Sequence, residues 1–387
     1  MRKLFLATAV IALTTTGCTP DKETASSNRG SELEQLGQQL FFDTNLSFNR
    51  SQSCATCHSP AAGFADNRDN GVAGMASLGD DGQSIGDRNA PSAGYAKFIP
   101  LFHKNSEGQY VGGQFWDGRE TDLKGQAGGP PTNPAEMGMP DKQTAVARLQ
   151  ENPQYTQSFR SLFGAEIFDN TDAAYEAMTK AIAAFESTDL FAPFDSKYDR
   201  YLRGEYEMTP QEELGRTLFF SQQFTNCNQC HQLKRSPGSG GETFSNYEYH
   251  NIGIPKNTDL RAVNGVANDF VDQGLLNNPL VTDPTQAGKF KVPTLRNVAV
   301  TGPYMHNGVF ADLRTVVLFY DKYNSKSAKR QINPETGFQW AEPEVAENIS
   351  LKELQHGPSL ETRRIDALVA FMKTLTDKRY EHLLTTN

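Results

Sequence analysis

In the stretches 141–163 (DKQTAVARLQENPQYTQSFRSLF) and 171–190 (TDAAYEAMTKAIAAFESTDL), apolar residues recur every three or four positions. That spacing gathers them on one face of an α-helix. Thr171 or Asp172 is placed to cap the second helix. Residues 359–375 (SLETRRIDALVAFMKTL) repeat the amphipathic pattern near the C-terminus, and 213–220 (ELGRTLFF) predicts a further helix. Between these lie long stretches rich in Gly, Pro and Asn, chiefly 60–95, 105–140 and 235–305, and no strand–turn–strand series competes with them. The pattern predicts a mainly α, loop-rich fold. Loops this long in a compact chain usually carry function, and here they are expected to wrap a bound group.

Two short motifs identify that group. Cys54, Cys57 and His58 form Cys-x-x-Cys-His, and Cys227, Cys230 and His231 form it again. This is the attachment signature of a c-type haem. The two thiols add across the vinyl groups as thioethers, and the histidine turns its imidazole onto the iron. A zinc site would not require a histidine fixed after each cysteine pair, and a redox dithiol would need one motif rather than two. The chain has five cysteines, so only Cys18 is left over and no pair remains for a structural disulfide.

The motifs sit in a longer repeat. LGQQLFFDTNLSFNRSQSCATCH, from Leu36, resembles LGRTLFFSQQFTNCNQCH, from Leu214. In each, a helix-like segment ends in Leu-Phe-Phe and a loop then delivers the haem cysteines. The loops differ in length while the frame persists, which reads as internal duplication of a cytochrome c-like module carrying one haem. The boundary is expected near 200–208, giving an N-terminal haem domain over 32–205 and a C-terminal one over 206–387, whose last helix is free to pack back on the first.

At the N-terminus Arg2 and Lys3 precede the apolar run LFLATAVIAL and then TTTGC. A run this short reads as a signal peptide (1–18) rather than a permanent membrane span. Gly17–Cys18 looks like a lipoprotein cleavage site, with Cys18 as the lipid anchor, although Thr15 stands where such sites usually carry leucine; ordinary cleavage nearby is the other reading. Both place the protein in the periplasm. Residues 19–31 are polar, without apolar period, and read as a tether. A net charge of −9 and a pI near 5.4 argue against nucleic acid.

Over nearly its whole length the chain resembles the bacterial dihaem cytochrome c peroxidases and their MauG-type relatives. The resemblance is carried by LFFDTNLSFNRSQSCATCH, RNAPS, FWDGRETDLKGQA, NPAEMG, VPTLRNVAVTGPYMHNGVF and FYD, in that order. It implies that His58 holds the peroxidatic iron. Glu136 would be the acid–base that moves a proton between the peroxide oxygens, with Gln126, ten residues earlier, orienting peroxide. No histidine lies between His58 and His103 to block that iron, so the resting site is expected to be open. Its sixth ligand is undetermined, Met75 being one residue placed to cap it. His231 would hold the second iron. The family position for its other ligand falls on Tyr320, as in MauG-type enzymes; the alternative makes Tyr320 a core aromatic and Met305 or Met372 the ligand. Trp116 would carry electrons between the haems. A calcium ion would be bound by the Asn89 side chain and the carbonyls of Thr301 and Pro303. His250, His356 and His382 have no recognisable context and read as surface or core histidines.

These expectations describe an enzyme that reduces hydrogen peroxide to water with electrons from a small cytochrome c or cupredoxin. The first alternative spends the same oxidising power on Trp or Tyr of a partner protein. A non-catalytic dihaem electron carrier would have no use for Glu136 and Gln126. A homodimer is compatible with either enzyme.

Overall fold

The computed structural model describes residues 22–233, 238–267, 269–355 and 357–385. Cys18, the signal segment and His356 lie outside them. Twelve α-helices are present among the described residues: α1 (Lys22–Phe42), α2 (Cys54–Cys57), α3 (Leu123–Ala127), α4 (Lys142–Gln150), α5 (Pro153–Phe163), α6 (Thr171–Glu186), α7 (Lys197–Leu202), α8 (Pro210–Phe219), α9 (Thr258–Arg261), α10 (Leu313–Asp321), α11 (Leu351–Leu354) and α12 (Thr362–Lys373). The only strands among these residues form two-residue antiparallel ladders, His103–Lys104 with Tyr110–Val111 and Tyr249–His250 with Phe290–Lys291. No described helix is long and apolar enough to cross a membrane.

Local chemistry sets the helix ends. The amphipathic stretch 141–163 is two helices rather than one. Pro153 has no amide hydrogen to continue α4 and pushes Asn152 into extended backbone, so α5 starts afresh with Asn152 as its cap, accepting from the Gln154 amide at 2.9 Å. The cap of α6 is Asn170, one residue before the expected pair, accepting from the Ala173 amide at 3.0 Å. Thr209 and Glu212 close a reciprocal capping box at the start of α8, with Pro210 in the first turn. α1 begins at Lys22, within the stretch read as a tether.

Two apolar cores follow. One gathers Leu40, Phe41, Leu149, Phe159, Met178 and Phe185 from α1, α4, α5 and α6. The other gathers Leu218, Phe219, Leu318, Ile365, Leu368 and Phe371 from α8, α10 and α12. Each depends on one close helix crossing at a glycine. A Cβ on Gly37 of α1 would stand 1.9 Å from the Ala181 carbonyl oxygen of α6 and 2.9 Å from Phe185 Cβ. A Cβ on Gly215 of α8 would stand 1.9 Å from the Ala367 oxygen of α12 and 2.8 Å from Phe371 Cβ.

The halves are joined by buried polar groups. Arg296 is 2% exposed; it donates to the Asp199 carboxylate at 2.6 and 2.9 Å and lies over the rings of Tyr95, Phe194 and Phe244. Beyond α12, Asp377 accepts from Tyr95 Oη at 2.5 Å and Asn297 Nδ2 at 2.8 Å. Tyr380 donates to the Pro60 carbonyl at 2.9 Å and Arg379 to that of Leu190 at 2.8 Å. The segment beyond α12 thus lies against the first half, while α12 itself packs on α8 and α10.

Candidate haem centres and the junction between them

α2 is a single turn that presents Cys54 and Cys57, and His58 follows at its end. His58 Nδ1 lies 3.2 Å from the carbonyl of Phe64, a residue in left-handed backbone (φ 58°). In the second half, Cys227–Gln229 forms a tight turn, and His231 Nδ1 lies 2.9 Å from the carbonyl of Phe244, also left-handed (φ 56°). A ring whose Nδ1–H is held by a carbonyl has a fixed tautomer, with Nε2 left as the acceptor a metal needs. Burial depresses the pKa of both histidines, His231 to about 4, which keeps that nitrogen unprotonated. Burial raises Cys54, Cys57 and Cys227 instead, favouring neutral sulfur. Neutral imidazole beside paired thiols is the donor set a thioether-anchored haem requires, so the residues fit the group at both positions.

The second centre opens into a cavity with Cys227, Cys230, His231 and Tyr320 in its wall, among Leu295, Leu368 and other apolar side chains. Tyr320, in α10, has its phenol pKa raised by burial first and then by the charges of Cys230 and Cys227. Met305 and Met372 line the same cavity. His250, which had no context in the sequence, is there too: burial opposes its charge, but hydrogen bonds that its ring donates to Cys230 and Glu248 raise its pKa to about 10.

At the first centre, the charge of Glu136 is felt at both Cys54 and Cys57. Burial raises the Glu136 pKa, against the pull of Arg119 and a hydrogen bond from Asn133, so its carboxyl holds a proton more readily than a surface acid. Gln126 lies in α3, capped by Asp122. A turn links the two: the Gly129 amide donates to the Gln126 carbonyl at 3.1 Å and the Met137 amide to that of Pro130 at 3.2 Å. Met75 is engaged elsewhere, its sulfur accepting from Asn257 Nδ2 at 3.0 Å. His103 is exposed on its ladder.

Trp116 lies between the halves. It lines the second-haem cavity and also a smaller one whose wall includes Asn89, Thr301 and Pro303, the residues expected to bind calcium. Its indole N–H donates to the Asn89 carbonyl at 2.8 Å. Arg88 bridges Asp117 and Asp272, each at 2.7 Å, and Phe290 stacks on His306 with ring centroids 3.5 Å apart. Among the described residues no three His, Cys, Asp or Glu side chains form a metal cluster. Sequence reading missed His250, Lys291, His306 and the buried Glu186. No spacing singles them out, though Lys291 immediately precedes and His306 lies within VPTLRNVAVTGPYMHNGVF.

A sequence profile of the di-haem cytochrome c peroxidase family matches residues 31–207. The methylamine utilization protein MauG of Paracoccus denitrificans is 56% identical over 353 residues, 91% of this chain and 90% of that one. The cytochrome c551 peroxidase of Nitrosomonas europaea is 34% identical, covering 74% of this chain and 72% of its own. Among solved structures, the diheme peroxidase BthA of Burkholderia thailandensis superposes with a TM-score of 0.80 at 29% identity, over 94% of this chain and 88% of that one.

Proposed function

The chain belongs to the dihaem cytochrome c peroxidase family, and on that premise we propose a MauG-type enzyme: it uses hydrogen peroxide to draw electrons from Trp or Tyr of a partner protein. That it is a peroxide-using oxidoreductase with two haem c groups follows from the family. The source of the electrons is the proposal. The observation that carries it is Tyr320 in the cavity wall with His231, Cys227 and Cys230. A phenolate ligand favours ferric iron and suits a haem that shares oxidising equivalents, more than one that accepts electrons from a high-potential donor. The 56% identity to MauG of Paracoccus denitrificans, over an alignment spanning 91% of this chain and 90% of that one, supports the same reading.

The haems, when bound, supply the iron that binds peroxide and stores oxidising equivalents. The chain supplies the rest. His58 and His231 would each give Nε2 to iron while a backbone carbonyl holds Nδ1. Glu136 would accept a proton from the inner peroxide oxygen and return it to the outer one, which leaves as water; its raised pKa suits a group that must both take and give. Gln126 would orient the peroxide. The balance is one peroxide, two protons and two electrons to two waters, with the electrons drawn from the partner and passed by way of Trp116. Asn89, Thr301 and Pro303 would hold calcium through a side-chain oxygen, carbonyls and water, which that ion accepts. The matched crossings at Gly37 and Gly215 and the matched carbonyls of Phe64 and Phe244 support descent from one duplicated module. A periplasmic location, and lipid on Cys18, rest on the N-terminal sequence.

The small-donor peroxidase is the second reading, favoured by Met305 and Met372 in the same cavity. Redox titration with Tyr320→Met separates the two. Tyrosine ligation predicts a second haem that is hard to reduce in the wild type, and a rise in its potential with a shorter-lived peroxide-oxidised state in the variant. A wild-type potential typical of His/Met haems would refute Tyr320 ligation and leave the small-donor peroxidase.

A further inference from the structure

Lys291 is 7% exposed and lines both the second-haem cavity and the one shared by Asn89, Thr301 and Pro303. Its Nζ donates to the Gly113 carbonyl, and its backbone amide donates to the Trp116 carbonyl at 3.0 Å. Burial pushes its pKa down to about 7 and the Asp117 charge opposes the fall. Asp117 is itself 2% exposed and paired with Arg88 and Arg119. A lysine is a costly residue to bury without a role.

The paired contacts of the two halves say what stands opposite it. Ser92 donates to the Gly63 carbonyl at 2.5 Å, and Thr294 to that of Thr243 at 2.7 Å. Tyr95 and Asn297 are both left-handed and both hydrogen-bond Asp377. In this register Asn89 corresponds to Lys291. The turns 114–120 and 304–310 match likewise: each is closed by a bridge between its ends, and Gly118 (φ 67°) matches Gly308 (φ 65°). Trp116 then corresponds to His306, and Gly113 to Pro303. One further pair of bonds checks the register: the Lys291 amide donates to the Trp116 carbonyl at 3.0 Å, and the Asn89 amide to that of His306 at 2.8 Å. Lys291 on the Gly113 carbonyl is therefore the counterpart of Asn89 beside Pro303.

We propose that Lys291 supplies from within the chain the cation that the Asn89, Thr301 and Pro303 site takes from solution, and that it is a positioning residue for electron passage through Trp116. The inference rests on the duplicated-module and calcium readings. The indole is flanked by two cation positions, one filled by a metal and the other by a tethered ammonium. A nearby positive charge makes an electron harder to remove from the ring and favours the reduced iron of the haem whose cavity it lines.

Two experiments on haem-loaded enzyme test this. In redox titrations run below pH 7, where the Lys291 ammonium keeps its charge, Lys291→Met and Lys291→Gln should both shift the second-haem potential to more negative values. Gln keeps a donor for Gly113 while losing the charge, so a merely structural role would leave it at the wild-type potential. Met covers the case in which Gln fails to fold. Lys291→Asn copies the Asn89 side chain into the matching position, so metal analysis after calcium dialysis should rise from one to two ions per chain. An unchanged potential in the charge-free variants, or one calcium in Lys291→Asn against one in the wild type, overturns the proposal. A wild type with no calcium refutes the calcium reading, and the potential then decides the role of Lys291.

Discussion

Glu186 ends α6 with 4% of its surface exposed, and its Oε2 has no hydrogen-bond partner among the described residues. Its charge is felt at Cys54. Burial alone raises its pKa from 4.5 to about 8. The folded protein therefore holds this proton up to about pH 8, while the unfolded chain releases it near pH 4.5. The group's contribution to stability is complete below pH 4.5, falls steadily as pH rises, and is lost above about pH 8. At 1.36 kcal/mol per pH unit over that window the loss approaches about 5 kcal/mol, a ceiling that any relaxation around the carboxylate would reduce. Net stabilities of 5–15 kcal/mol are usual, so even half of this would be measurable. Glu186→Gln keeps the shape and removes the titration. Guanidinium unfolding of the haem-loaded protein at pH 5, 7 and 9 should show wild type and variant diverging as pH rises, with Gln favoured. Parallel stability curves would refute the argument.

Denatured-protein mass should carry two haems per chain, and acid acetone should extract neither; one haem, or extractable haem, would contradict the double motif. Glu136→Gln should slow the reaction of ferric enzyme with peroxide by roughly 10²–10⁴ in stopped flow. Because Glu136 must be ionised to accept the first proton and burial raises its pKa, the wild-type rate should climb with pH through a midpoint above 4.5, and the variant should lose that dependence. Gly37→Ala and Gly215→Ala should each lower stability by about 1–3 kcal/mol in denaturant titration, since each new methyl meets backbone across a helix crossing.

The sequence made some features legible because they are local and others only by resemblance. Haem attachment could be read from five residues, since covalent chemistry demands a fixed spacing. The helix faces could be read from apolar period, but their ends shifted where a single residue dominated, Pro153 splitting one helix and Asn170 capping another. Tyr320 and the calcium residues were reached only through the resemblance; Tyr320 lines one cavity with His231, Met305 and Met372, and Asn89, Thr301 and Pro303 line another. Lys291, His306 and Glu186 were illegible because their significance is tertiary. A lysine, a histidine or a glutamate is ordinary until burial removes its water, and nothing along the chain announces which will be buried.

The C-terminal strap has a consequence for how the enzyme is timed. Asp377 ties Tyr95 and Asn297 to one carboxylate, while Arg379 and Tyr380 grip carbonyls of the first half. Neither half can swing away without breaking these bonds, of which the two accepted by Asp377 are buried. On the proposed function, these bonds should make the span that electrons cross a constant of the fold, like the spacing of fixed electrodes, with no hinge stroke to set the tempo of exchange. Transfer between the centres should be indifferent to solvent viscosity, and calorimetry should record the two halves melting as one unit.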